Sequence, residues 1–92
     1  MPTVRIPPVL RQHTDGATEV DAGGSNVGEV LQALVAQHPA TEEQLFSGGG
    51  ELNRFVNVYL NDEDVRVLDG LETAVKDTDT VMILPAMAGG RS

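Results

Sequence analysis

Apolar residues recur along this chain in two rhythms. Val27, Val30, Leu31, Leu34 and Val35 fall at i, i+3, i+4, i+7 and i+8. That spacing places them on one continuous face of an α-helix, with Glu29, Gln32 and Gln37 on the other sides. Gly23-Gly24 breaks the chain before this stretch, Ser25 is a candidate N-cap, and Pro39 stops the helix.

Elsewhere the rhythm has a period of two. Thr3-Val4-Arg5-Ile6 suits a half-buried strand, which Pro7-Pro8 either ends or confines to a sheet edge. Asp15-Gly16 is turn chemistry, and residues 17–20 pair back to complete an N-terminal hairpin. Residues 55–60 are strongly strand-forming, with Val56, Val58 and Leu60 on one face and Phe55, Asn57 and Tyr59 on the other. A polar turn over 61–64 leads to a short strand over 65–67. A brief helical turn follows over 71–75, and a second turn over 77–80. Val81-Met82-Ile83-Leu84 then forms a final strand that Pro85 closes. Residues 41–46 predict one more helical turn, and Ser47-Gly48-Gly49-Gly50 a loop.

Strand, strand, helix, strand, short strand, strand predicts one sheet covered on one face by one main helix, an α+β grasp architecture. Residues 1–86 make up this domain, and residues 87–92 are expected as a flexible C-terminal tail. The length of 92 residues allows one domain and not two. With Phe46, Phe55 and Tyr59 the only aromatics, the core must be built from Val, Leu, Ile and Ala.

A net charge of -8 and a single lysine, Lys76, match nucleic acid poorly, because phosphate binding needs clustered cations. The same balance argues against an anionic membrane, and no apolar run reaches the roughly 18 residues that span a bilayer. A cytoplasmic protein that docks on a basic protein surface is the expectation. Without cysteine there is no disulfide, thiolate metal site or thiol nucleophile.

Few side chains carry candidate chemistry. Asp62-Glu63-Asp64 lacks the ligand spacing of a calcium loop and reads as a solvated turn, with an acidic patch for a partner as its functional role. His13 and His38 are isolated, and no metal site is expected. Gly48-Gly49-Gly50 lacks the Lys-Ser/Thr of a phosphate loop. Neither Ser25 nor Ser47 has the signature of an activated nucleophile. The sheet face turned away from the helix is more informative. If Val56, Val58, Val81 and Ile83 point inward, Phe55, Tyr59, Met82 and Leu84 point outward as an apolar docking surface, with Arg54 and Arg66 at its rim. Met87 and Ala88 extend that surface toward the tail.

Three pieces together resemble one family. They are residues 54–66 as a middle strand and turn, residues 77–85 as an acidic turn before a hydrophobic run and a proline, and the terminal Ala88-Gly89-Gly90. The chain is similar over nearly its whole length to the ubiquitin-like sulfur carriers of the ThiS/MoaD family. It looks nearest the CysO-type carriers that serve cysteine synthesis. The resemblance implies a ubiquitin-like β-grasp fold with a mixed sheet. It implies that an E1-like enzyme uses ATP to adenylate the carboxylate of Gly90, and that a sulfur donor displaces AMP to leave a thiocarboxylate. A sulfur-accepting synthase then takes the sulfur. The carrier would bind no cofactor and supply no catalytic side chain. A permanent MoaD-type subunit of molybdopterin synthase, a ubiquitin-like protein modifier and a simple interaction domain are the alternatives.

Gly89 and Gly90 also make physical sense in that role. A tail threaded into another enzyme needs a small cross-section and free torsions, which residues without a Cβ provide. The sequence departs from the family pattern in one respect, because Arg91 and Ser92 follow Gly90. Two readings fit: a pro-form whose Gly90-Arg91 bond a peptidase cleaves before activation, or two residues left from cloning. We favour the pro-form.

Overall fold

The structure, a computed structural model, describes residues 1–46, 52–53 and 56–85. Five strands form a single mixed sheet: β1 (Thr3–Arg5), β2 (Glu19–Asp21), β3 (Val56–Leu60), β4 (Glu63–Asp64) and β5 (Thr80–Pro85). Their order is β2-β1-β5-β3-β4. β1 lies parallel to β5, with Val4 opposite Val81, and the other pairings are antiparallel. Pro7-Pro8 therefore ends β1 and does not place it at an edge. The first strand lies inside the sheet, between its hairpin partner and the last strand.

The helix predicted from the apolar spacing is α1 (Val27–Gln37). Val27, Val30, Leu31 and Leu34 are fully buried, and they join Val4, Val58, Val81 and Ile83 in one core. Alternation along the strands explains the other half of that core: Val56, Val58 and Leu60 are buried while Asn57 and Tyr59 are not. The N-cap is Asn26, one residue later than expected. Its Oδ1 accepts the Glu29 N–H at 2.8 Å, and Ser25 instead donates both its backbone N–H and its hydroxyl to Glu29 Oε1. These two donors, the backbone one foremost, hold the Glu29 carboxyl below its usual range. Cap and reciprocal acceptor satisfy donors that a helix start leaves unpaired.

Three local differences have physical causes. The link between β1 and β2 is a 3-10 helix over Pro8–His13 that buries Leu10, followed by Asp15 and Gly16 at φ 56° and 83°. Residues 65–67, expected as a strand, form a 3-10 turn. The Asp64 carboxylate accepts the Arg66 N–H at 2.8 Å, and this side-chain bond replaces a ladder bond. The strand before it begins early because Asn61 and Asp62, at φ 51° and 75°, make a two-residue hairpin turn that brings Glu63 opposite Leu60. Residues 39–41 and α2 (Glu42–Leu45) complete the chain after α1, and a 3-10 turn at Gly70–Glu72 packs beside it.

Candidate functional site

The sheet face opposite the core is built from alternate residues of each strand. Strand register places Glu19, Arg5, Met82, Tyr59 and Asp64 in one row across all five strands. Tyr59 and Met82 are direct cross-strand partners and both are half-buried. Leu84 sits opposite Asn57 and is 38% exposed. The outward face is thus mixed, an apolar centre of Tyr59, Met82 and Leu84 set among polar and charged neighbours. Phe55, Met87, Ala88, Gly89, Gly90 and Arg91 lie outside the described residues, as does Arg54.

A cavity of about 230 Å³ opens where the chain reaches the end of β5. Met82, Ile83 and Leu84 form one side, Ile6, Pro7 and Pro8 another, and Arg5, Arg11, Thr18 and Glu19 supply its polar lining. The Arg11 Nε donates to the Ile6 carbonyl at 3.2 Å, which fixes the stem of that side chain against the end of β1. Arg5 and Arg11 were not singled out from the sequence. The only available signal was that Arg5 occupies the outward phase of the alternating stretch Thr3-Val4-Arg5-Ile6.

Arg66, expected at the rim of that face, is exposed and anchored at the outer edge of β3. Its guanidinium donates to Asn57 Oδ1 at 2.7 Å, to the Val56 carbonyl at 2.9 Å and to the Asn53 carbonyl at 3.1 Å. β4 pairs only with Tyr59 and Leu60, so among the described residues no strand lies beside Val56 at the outer edge of β3. The planar fork of the guanidinium supplies donors there.

Asp62 and Glu63 are exposed at the hairpin turn, and Asp64 is occupied by its bond to Arg66. Among the described residues no group of three or more His, Cys, Asp or Glu side chains has a metal-holding arrangement. His13 lies at the end of the first 3-10 helix and His38 at the C-cap of α1, where its N–H donates to the Leu34 carbonyl. Among the described residues no helix is long and apolar enough to cross a membrane.

A mixed five-stranded sheet with one main helix on its inner face is the ubiquitin-like β-grasp fold. The chain belongs to the ThiS family, whose sequence profile matches residues 4–90. It is 51% identical over 90 residues to the sulfur carrier protein CysO of Mycobacterium tuberculosis, an alignment covering 96% of this chain and 97% of that one. Its structure matches a chain of the Amycolatopsis orientalis BexX/CysO complex with a TM-score of 0.90 and 48% identity, covering 98% of this chain and 100% of that chain. The small archaeal modifier protein 1 of Methanosarcina acetivorans is similar at a TM-score of 0.86 and 34% identity, over 96% of this chain and 94% of that chain.

Proposed function

We propose that this chain carries sulfur as a thiocarboxylate on the carboxyl carbon of Gly90. The supporting observation is the extent of the family match, which runs through the sheet and on to residue 90, so that Gly89-Gly90 falls inside it. Half-identity to a CysO over almost the full length supports the same role.

The chemistry needs activation first, because a carboxylate has no leaving group that a nucleophile can displace. A partner of the E1-like class joins the Gly90 carboxylate to the α-phosphorus of ATP, with release of pyrophosphate. A sulfide-level donor (hydrosulfide) attacks the resulting acyl carbon, AMP leaves with the electron pair of its bond to that carbon, and the glycine keeps the sulfur as a thiocarboxylate. A sulfur-accepting synthase then directs that sulfur at an electrophile. Arg91-Ser92 must leave before activation, by hydrolysis of the Gly90-Arg91 peptide bond. This chain contributes the terminus and a docking face, binds no cofactor and supplies no catalytic side chain. It works in the cytoplasm. Tyr59, Met82 and Leu84 form the described part of that face, and Phe55, Met87 and Ala88, expected on it from the sequence, lie outside the described residues.

Intact mass after expression in the native host tests the proposal. Loss of Arg91-Ser92 together with exchange of one oxygen for sulfur is the expected result. A full-length mass without sulfur, with the activating enzyme and ATP supplied, would defeat it. The likeness to a small archaeal modifier protein favours one second reading, in which the activated terminus forms isopeptide bonds with lysines. Covalent adducts in cell extracts, dependent on Gly90, would identify that use.

A further inference from the structure

Six cationic side chains serve a chain of net charge -8. Two of them, Arg5 and Arg11, line the cavity at the end of β5, where Glu19 is the one acidic lining residue. The cavity is therefore locally cationic on an acidic protein. Neither guanidinium is used up within the fold. The ion pair of Arg5 is with Glu19 at 3.9 Å, beyond hydrogen-bond distance, with both side chains more than half exposed. Arg11 spends its Nε on the Ile6 carbonyl, and among the described residues its two terminal amino groups have no hydrogen bond. Apolar Met82, Leu84 and Pro8 share the lining.

We infer that this cavity receives an aspartate or glutamate side chain of the activating enzyme, one flanked by apolar residues that meet Met82 and Leu84. The inference rests on the thiocarboxylate reading, since that reading requires an enzyme which takes up the tail. Five residues lie between Leu84 and Gly90, so the two are at most about 22 Å apart when the chain is fully extended. A partner holding Gly90 in its active site must therefore bring its surface close to the end of β5. The rest of the carrier is acidic and favours basic partner surfaces, whereas two guanidiniums with donors to spare beside an apolar shelf select a carboxylate. The partner surface is consequently mixed: basic across most of the contact, acidic at the mouth of the channel that admits the tail. Charges of opposite sign at fixed places set the register of docking, and they set which end of the carrier faces the channel.

The test measures affinity of the full chain for the purified E1-like enzyme of the same organism, with sulfur loading followed in parallel by intact mass. Arg5→Gln and Arg11→Gln are each expected to weaken binding about tenfold. Lys76→Gln removes the same charge ahead of the start of β5 and is expected to change binding less than about twofold. Glu19→Gln is expected to tighten binding, because it removes the carboxylate that competes for Arg5. Arg11→Lys keeps the charge but not the Nε bond to Ile6, so it is expected to bind more tightly than Arg11→Gln, and Arg5→Gln decides the matter if Arg11→Gln fails to fold. Binding by both glutamine variants equal to that of Lys76→Gln, or weakening by Glu19→Gln, overturns the inference. If the unaltered chain still gains sulfur in that event, the carrier reading stands alone. If it gains none, both fall.

Discussion

Asn61 and Asp79 hold each other across the end of the sheet where β3 turns into β4 and β5 begins. Asn61 Nδ2 donates to Asp79 Oδ1 at 2.8 Å, while Asn61 Oδ1 accepts the Thr80 N–H at 3.0 Å. The second oxygen of Asp79 accepts the Lys76 N–H at 2.8 Å, and the Asp79 carbonyl accepts from Thr3 at the start of β1. One side-chain pair thus ties two turns to each other, and the second of those turns also holds the N-terminal strand. These bonds set where β5 enters the sheet, and so the register of Met82 beside Arg5 and Tyr59.

The Asn61 amide, and after it the Lys76 N–H, holds the Asp79 carboxyl below its ordinary value of 3.8. A folded-state value below the unfolded one means that the anion stabilises the fold above the ordinary value. That contribution is lost as pH falls through the depressed value. Asp79→Asn is therefore expected to lower the melting temperature at pH 7 by a few degrees. The gap from the unaltered chain should narrow as both are titrated below about pH 4. A gap that stayed constant from pH 7 to pH 2.5 would show that the charge of Asp79 is immaterial.

Arg66 should behave as a structural residue. Arg66→Ala removes three hydrogen bonds at the open edge of β3 and is expected to cost about 2 kcal/mol in urea unfolding. Arg66→Lys, a point charge without the fork, should recover less than half of that. Equal stability of all three forms would show that water replaces the guanidinium without loss.

Much of this architecture is legible in the residues themselves. The spacing from Val27 to Val35 defines α1, and the alternation in residues 56–60 and 81–84 defines both faces of the central strands. What was not legible depended on contacts distant in sequence or on competition between side chain and backbone. Nothing local to Thr3–Arg5 says that this strand lies inside the sheet, parallel to the last strand. The sequence Val65-Arg66-Val67 is as strand-like as its neighbours until the Asp64 carboxylate captures the Arg66 N–H. Ser25 and Asn26 are both good caps, and the choice between them rests on which side chain accepts the Glu29 N–H: Asn26 does, while Ser25 donates to the Glu29 carboxylate. Arg5 and Arg11 lie too far apart in sequence to be read as a pair. They line one cavity only because Arg11 folds back to the Ile6 carbonyl.

Gly24 is a position where a methyl group does not fit. A Cβ built there would lie 2.7 Å from the Val30 backbone nitrogen and 2.8 Å from Glu29 Cβ, atoms of the first turn of α1. Gly24→Ala must push the helix start away from the chain that precedes it, at an expected cost of about 2 kcal/mol. Gly23→Ala meets only the end of the Met1 side chain, at 3.5 Å, and should be nearly neutral. Chemical denaturation of the two variants side by side checks this, and equal stability would contradict the geometry.

Adjacent residues of β5 should give opposite phenotypes. Ile83 is fully buried in the core, so Ile83→Ala leaves a cavity and is expected to cost about 3 kcal/mol of stability. Leu84, next to it, points to the other face and is 38% exposed, so Leu84→Asp should unfold at nearly the same denaturant concentration as the unaltered chain. Its effect should appear in docking instead. The new carboxylate stands on the apolar shelf beside Arg5 and Arg11, where it both desolvates poorly and occupies the guanidiniums offered to the partner. Affinity for the activating enzyme is expected to fall at least tenfold, with a matching drop in the rate of sulfur loading. Normal loading by Leu84→Asp would remove this end of the face from the docking surface, because no change in folding would be available to explain the result.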